Sequence, residues 1–294
     1  MALRNLTTQQ GPAMKNPTLA SFIGSPALGV AAAYSAEGST QVFICGVAFI
    51  ENEGLQLYFP KGHPFQAQQK ITLHLDNRTG VDEYDADLLV YRTSYKGRVT
   101  AVKGQQLQVE PLHFEVTYGV SVVHSYNAPG YEHPADERPL LALPETPLTS
   151  VPLPDMLENE NKIGVLVTQA NNQPHTTVLA FLSTPDDDIF FITFPATLKS
   201  RLLKRDGFCH FAIDSRAVFT YTKALEWNYS IIEAQAYQVS KTNPLFEPIR
   251  ELFVEKNPWE VGFFSAPDIE MYHLKARRVI LPECELIKEE ATQH

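Results

Sequence analysis

The sequence predicts a mainly β chain with small helices, arranged as two tandem domains, and three observations carry that reading. Short runs rich in Val, Ile, Phe and Tyr, bounded by Gly, Asn, Asp and Pro turns, recur along most of the chain. Residues 134–154 contain six prolines (Pro134, Pro139, Pro144, Pro147, Pro152 and Pro154), a density that neither a central strand nor a helix interior accepts. The segments on either side match at a fixed offset. Gly29-Val30 and Phe59-Pro60 recur 135 positions later as Gly164-Val165 and Phe194-Pro195. Leu75-Asp76-Asn77 recurs as Ile213-Asp214-Ser215 once three residues are added. The expectation is an internal duplication: a frayed polar N-terminus over 1–16, a first domain over 17–133, an extended linker over 134–154 and a second domain over 155–294.

Composition narrows the function. A length of 294 residues suits two domains, and a hydrophobic content of 44% is enough for two cores. The net charge of −10 argues against a nucleic-acid partner, which needs a basic face, but leaves room for a small anion in a local basic pocket. The three cysteines, Cys45, Cys209 and Cys284, have no metal-ligand or disulfide spacing and read as small hydrophobes. Residues Met1 to Lys15 lack the apolar core of a secretory signal, and no run approaches the ~20 residues of a membrane span. The expectation is a cytoplasmic chain with no membrane partner.

In order, strands are expected over Leu28–Tyr34, Gln41–Ile50, Leu55–Phe59 and Ile71–Leu75, with one helical turn over Phe65–Lys70. A long alternating segment covers Leu88–Val102, and one or two strands fill Leu107–Val123. After the linker come strands over Ile163–Gln169 and His175–Leu182. Tyr229–Val239 and Met271–Leu281 are later strands, and a helix opening at Asn243-Pro244 and running to about Lys256 lies between them.

The stretch Asp188–Ser215 reads as strand, tight turn, short helix, strand. Ile189 to Phe194 is β-branched and aromatic, and Pro195 ends it. Thr197 is the expected cap of a helix that buries Leu198, Leu202 and Leu203, and Asp206-Gly207 stops it before the apolar run Phe208–Ile213. Thr193, Thr197, Lys199, Ser200 and Arg201 cluster at this turn. Hydroxyls, cations and free backbone N–H groups at a helix N-terminus suit a phosphate. The competing reading is a capped amphipathic helix with a solvated lysine.

This stretch resembles the flavin-phosphate segment of the pyridoxamine 5'-phosphate oxidase-like, FMN-binding split-barrel family. There a strand ends in Thr or Ser and a Lys opens a helix of the form K-x-x-x-L; Thr193, Lys199 and Leu203 stand at that spacing. The resemblance implies tandem split β-barrels and FMN as cofactor, with Thr193, Thr197, Lys199 and Ser200 toward the phosphate. It also implies that the neighbouring strand, with His175, Thr176 and Thr177, faces the flavin. The family's frequent Arg at that strand's start is here His175 or Thr176. Trp227 and Asn228, before the strand at Tyr229, would lie near the flavin ring or pack on the barrel. Where the second half has Thr193, Thr197 and Lys199, the first has Tyr58, Gly62 and Pro64, so one phosphate site per chain is expected. Family members pair as dimers with flavin between two barrels. This chain is expected to form that pair within itself or as a homodimer.

No metal site is expected, because the histidines are dispersed and form no tight ligand pair. A haem-binding relative uses a His in a C-terminal extension, for which His273 and His294 are the candidates. The acidic stretch 79–87, followed by Tyr91, Arg92, Tyr95 and Lys96, reads either as a cover over the cleft or as an exposed loop leading to a solvated strand. No hydrolase, P-loop or Rossmann motif is present. Two functions follow: a flavoprotein oxidoreductase of a small-molecule substrate with no catalytic side chain named, or a non-catalytic binding protein on a degenerate split barrel.

Overall fold

The computed structural model describes residues 17–78, 88–134, 136–157, 161–214 and 229–280. A short helix, α1 (Leu19–Ile23), precedes β1 (Ala27–Tyr34), β2 (Thr40–Phe49), β3 (Leu55–Tyr58), β4 (Lys70–Asp76), β5 (Arg92–Lys103), β6 (Gln106–Tyr118) and β7 (Ser121–Asn127). All pair antiparallel in the order β3-β2-β1-β4-β5-β6-β7. A further pairing of β3 with β6, Leu55 opposite Val109, closes β1 to β6 into a barrel. Closure removes the open edges that a flat sheet would leave. The interior is filled by alternate residues such as Ala31, Leu57, Leu73, Tyr95 and Phe114.

The second half repeats this plan with β8 (Ile163–Thr168), β9 (His175–Ala180), β10 (Leu182–Ser183) and β11 (Ile189–Thr193), then α2 (Leu198–Arg205) and β12 (Phe208–Asp214). After them come β13 (Tyr229–Val239), α3 (Phe246–Lys256), a 3-10 helix (Pro258–Ser265) and β14 (Glu270–Ile280). The order is β10-β11-β14-β13-β12-β8-β9. The edge strands β9 and β10 are separated only by Phe181, so the sheet curls until one chain segment borders both ends. The chain is therefore mainly β, with two curled antiparallel sheets in tandem.

Several elements depart from the sequence reading. Phe65–Lys70 forms no helical turn; the chain turns at Gln68, which adopts φ 69°. The strand expected from Leu88 begins only at Arg92. Asn243 does not cap α3 directly. Its side chain accepts from Leu245 N–H at 2.9 Å, and the helix opens at Phe246.

The two halves pack through β1 and β2 against β8, β12 and β13. Leu28, Val30, Ala32, Val42 and Ile44 share one apolar cluster with Val165, Val167, Ala212 and Ile231. The repeated aspartates flank this cluster. Arg78, 7% exposed, donates to Asp214 at 2.6 Å and to the Ile163 carbonyl at 2.9 Å, and its Nε lies 3.3 Å from Asp76. One buried guanidinium therefore joins the equivalent carboxylates of both halves. Tyr34 adds a second tie, donating to the Ala170 carbonyl at 2.6 Å and accepting from its N–H at 3.0 Å. The proline-rich segment runs extended along the second sheet. Thr146 N–H bonds Gln238 O at 2.8 Å, and Gln238 N–H bonds Pro144 O at 2.9 Å.

Candidate functional site

The strand–turn–helix stretch forms as its residues dictate. Thr193 ends β11 and is buried; Thr197 caps α2, its Oγ1 accepting from Ser200 N–H at 3.4 Å. The two threonine hydroxyls lie 3.1 Å apart. Lys199, one residue into the helix, is half-buried and makes no hydrogen bond or ion pair among the described residues. Burial, reinforced by the nearby charge of Arg92, pushes its ammonium down to about 8, with Glu260 pulling the other way. Glu260 is itself pushed up to about 7 by burial. Ser200 turns away from the turn. Its hydroxyl donates to Glu270 at 3.1 Å and lies 2.7 Å from the Tyr272 hydroxyl, while Lys204 donates to Glu270 at 2.6 Å. That network fastens α2 to β14 and occupies the Ser200 side chain.

Thr193, Thr197 and Lys199 line a cavity of about 190 Å³, together with Val178, Ile192 and, from the 3-10 helix, Trp259 and Glu260. A second cavity of about 400 Å³ adjoins it at Val178, which lines both. Its walls come from both halves: Arg92, Ser94 and Lys96 on β5, and His175, Thr176 and Thr177 on β9. Thr176 Oγ1 lies 2.8 Å from Ser94 Oγ, which pins β9 to the first barrel. His175 is half-buried, and burial followed by the charge of Lys96 holds its imidazole well below the ordinary range.

The structure thus gathers Thr193, Thr197 and Lys199 at one cavity and His175, Thr176 and Thr177 at the next. Trp227 and Asn228 lie outside the described residues, as do 79–87, Cys284 and His294. Cys45 and Cys209 are fully buried, with thiols pushed up by burial. His273 sits in the core: Nδ1 is 2.8 Å from Thr146 Oγ1, Nε2 is 3.1 Å from Asp188, and the ring stacks on Phe190. Among the described residues no three His, Cys, Asp or Glu side chains are grouped to hold a metal ion. The run Tyr91–Lys96 divides by strand alternation. Tyr95 enters the first core and stacks on Phe114, whereas Arg92 and Lys96 face the larger cavity. Polar residues at positions 92, 94 and 96 of one strand are the signal that could have found this wall. His113 and His133 also line it, and no sequence spacing foretold that.

No protein-family model and no curated protein matches this sequence. Among solved structures it is similar to the heme storage protein HutZ from Vibrio cholerae, at 16% identity and TM-score 0.36, over 42% of this chain and 88% of that one. A candidate pyridoxamine 5'-phosphate oxidase from Listeria innocua aligns at 16% identity and TM-score 0.32, over 41% and 87%. A FAD-binding protein from Mesorhizobium loti aligns at 12% identity and TM-score 0.34, over 41% and 83%. The fold is two curled antiparallel sheets in tandem, the first closed into a barrel by β3 and β6 and the second a half-barrel. Among the described residues no helix is long and apolar enough to cross a membrane.

Proposed function

We propose that the cleft beside α2 binds FMN and that the protein is a flavin-dependent oxidoreductase of a small-molecule substrate. The observation that carries this is Lys199. It is a half-buried cation with no ion pair among the described residues, lining one cavity with the Thr193 and Thr197 hydroxyls and repelled by Arg92. Glu260 lines the same cavity and offsets the Lys199 charge only in part, since burial pushes its own carboxyl up to about 7, so an arriving anion is favoured. Lys199 suits a phosphate, and the Thr197 hydroxyl, which donates to the Phe194 carbonyl at 2.8 Å, would turn from it to join the anion. The smaller cavity lies below the ~300–1,000 Å³ range of cofactor sites, so the ring would extend from it along the cleft toward Val178, where the larger cavity begins. FMN would supply the hydride or electron chemistry. The chain's part is to hold the phosphate through Lys199, Thr193 and Thr197, and to exclude water with Val178, Ile192 and Trp259. The two barrels of one chain would stand in for the two subunits of a dimer.

A haem reading has its own observation. The His133 and His175 rings face each other 5.9 Å apart at the larger cavity, and burial keeps both neutral, the form that ligates iron. A non-catalytic binding protein remains the third reading. Absorption spectra of the purified protein with and without added FMN, followed by a fluorescence titration, separate them. Saturable quenching that weakens tenfold or more in Lys199→Ala supports the flavin site. A Soret band after haem addition, without flavin quenching, would replace it. Neither response would leave a scaffold for some other ligand.

A further inference from the structure

The larger cavity carries more positive charge than a cofactor phosphate at Lys199 requires. Lys96 is 1% exposed, and its ammonium donates to Pro174 O at 2.7 Å, Ser94 Oγ at 3.0 Å and Thr72 Oγ1 at 3.3 Å. These acceptors satisfy its protons but not its charge. No carboxylate lies within ion-pair distance of it among the described residues. Burial accordingly pushes Lys96 well below the ordinary lysine range. Two turns of the β5 alternation away, Arg92 faces the same space. His133 Nε2 is buried at the cavity wall with no hydrogen-bond partner among the described residues. Among the described residues one carboxylate, the exposed Glu115, lines the cavity.

We propose that this cavity, walled by β5, β6 and β9, is a binding site for a small oxyanion, a phosphate or carboxylate group, beside the cofactor cleft. That the oxyanion belongs to the substrate rests on the flavin reading above; that the cavity binds one does not. A bound oxyanion favours the charged form of Lys96, which no carboxylate among the described residues pairs. It also gives the orphaned His133 nitrogen and the His175 ring a partner, as charge-assisted hydrogen bonds on protonation or as neutral ones otherwise. Ser94 and Thr177 supply hydroxyls at the same wall. The cavity, at about 400 Å³, admits a small metabolite and no polymer. The ligand class is therefore a low-mass acid or phosphate ester.

The test is calorimetric titration of the full-length protein with inorganic phosphate, with FMN fluorescence titration in parallel, on wild type, Lys96→Met, His175→Gln and Lys199→Ala. Phosphate affinity should fall at least tenfold in Lys96→Met and at least threefold in His175→Gln, in each case a larger loss than the variant makes in FMN affinity. Lys199→Ala should show the converse. His175 is half-buried at the cavity mouth, so its variant decides the matter if Lys96→Met does not fold. Phosphate affinity unchanged in the folded variants would overturn the proposal. So would loss of phosphate binding once FMN is saturating, since the cavity would then be the cofactor's own phosphate seat. Absence of FMN binding with phosphate binding intact would sink the flavin reading and leave the oxyanion site standing.

Discussion

Lys199→Met should make the protein more stable and its cofactor weaker at the same time. The drop of the Lys199 ammonium from 10.5 to about 8 corresponds to roughly 3 kcal/mol of unfavourable charge burial at full strength. Lys199 is half-buried rather than sealed, so water screens part of this, and ~1–2 kcal/mol is the expected gain. The sign follows from proton counting. Below pH 8 both folded and unfolded chains carry the charge, and the folded one bears the full penalty. Between about 8 and 10.5 the folded chain sheds the proton first, so wild-type stability should rise across that window. The variant has no such rise. Denaturant melts of both proteins at pH 7, 8, 9 and 10 read it out, the two converging as pH increases. Losing a charge-assisted bond to phosphate should weaken FMN by ~1.5–3 kcal/mol, or about 10- to 100-fold. A lysine that merely solvates the helix surface would give neither effect. A variant less stable than wild type at pH 7, with FMN affinity intact, would refute the reasoning.

Three further outcomes follow. Glu260 has the opposite linkage: with its carboxyl raised from 4.5 to about 7, wild-type stability should fall as pH rises through that interval, and Glu260→Gln should flatten the fall. Arg78→Met withdraws the guanidinium from Asp76 and Asp214. It should cost ~3–5 kcal/mol, a melting-point loss on the order of 10 °C by calorimetry, and Asp214→Asn added to it should recover part. A Cβ at Gly164 would sit 2.4 Å from a Phe211 ring carbon, whereas at the equivalent Gly29 the nearest atom is a Val47 methyl at 3.0 Å. Gly164→Ala should therefore cost ~1–3 kcal/mol in denaturant unfolding and clearly more than Gly29→Ala; equal losses would contradict the packing argument.

Strands and the α2 turn were legible because their signals are local. Period-two apolar runs mark β1 to β4 to within one residue, whereas β5 starts four residues later than expected, and Thr197 caps the helix it was expected to cap. What was not legible depended on distant partners. The 3-10 helix Pro258–Ser265 has no period of its own and holds through contacts such as Phe263 on Phe194. β9 and β10 read as one strand because nothing local marks the break at Phe181, whose ring is drawn into the core against Phe211. The repeated Leu-Asp-Asn and Ile-Asp-Ser segments were visible as a repeat, but their purpose appears only when Arg78 bridges the two aspartates. The larger cavity was hardest of all. It joins β5 of one half to β9 of the other, so its histidines are far apart in the chain. Ser200 shows the converse: a residue of the right type at the right turn, whose hydroxyl is taken up by Glu270 and Tyr272.

The duplication also says how many ligands the chain should hold. In the first half Asp76 lies opposite Arg92 across β4 and β5; in the second, Asp214 lies opposite Tyr229 across β12 and β13. Counting along from these equivalent pairs, Lys96 matches Glu233 and Ser94 matches the buried Ile231. Lys199 likewise matches Pro64. Each half has kept cations on the elements that face one cleft and lost them on the elements that would face its symmetry mate. Random decay of one barrel would not leave β13 without cations while keeping Arg92 and Lys96 on β5, since β5 belongs to the half whose own turn lacks the lysine. That charge placement is what a single composite site, as proposed above, would require. FMN titration at protein concentrations well above the dissociation constant should therefore reach equivalence at one per chain. An end point of two per chain would mean that charge placement does not select the site, and the argument from Arg92, Lys96 and Lys199 would fall with it.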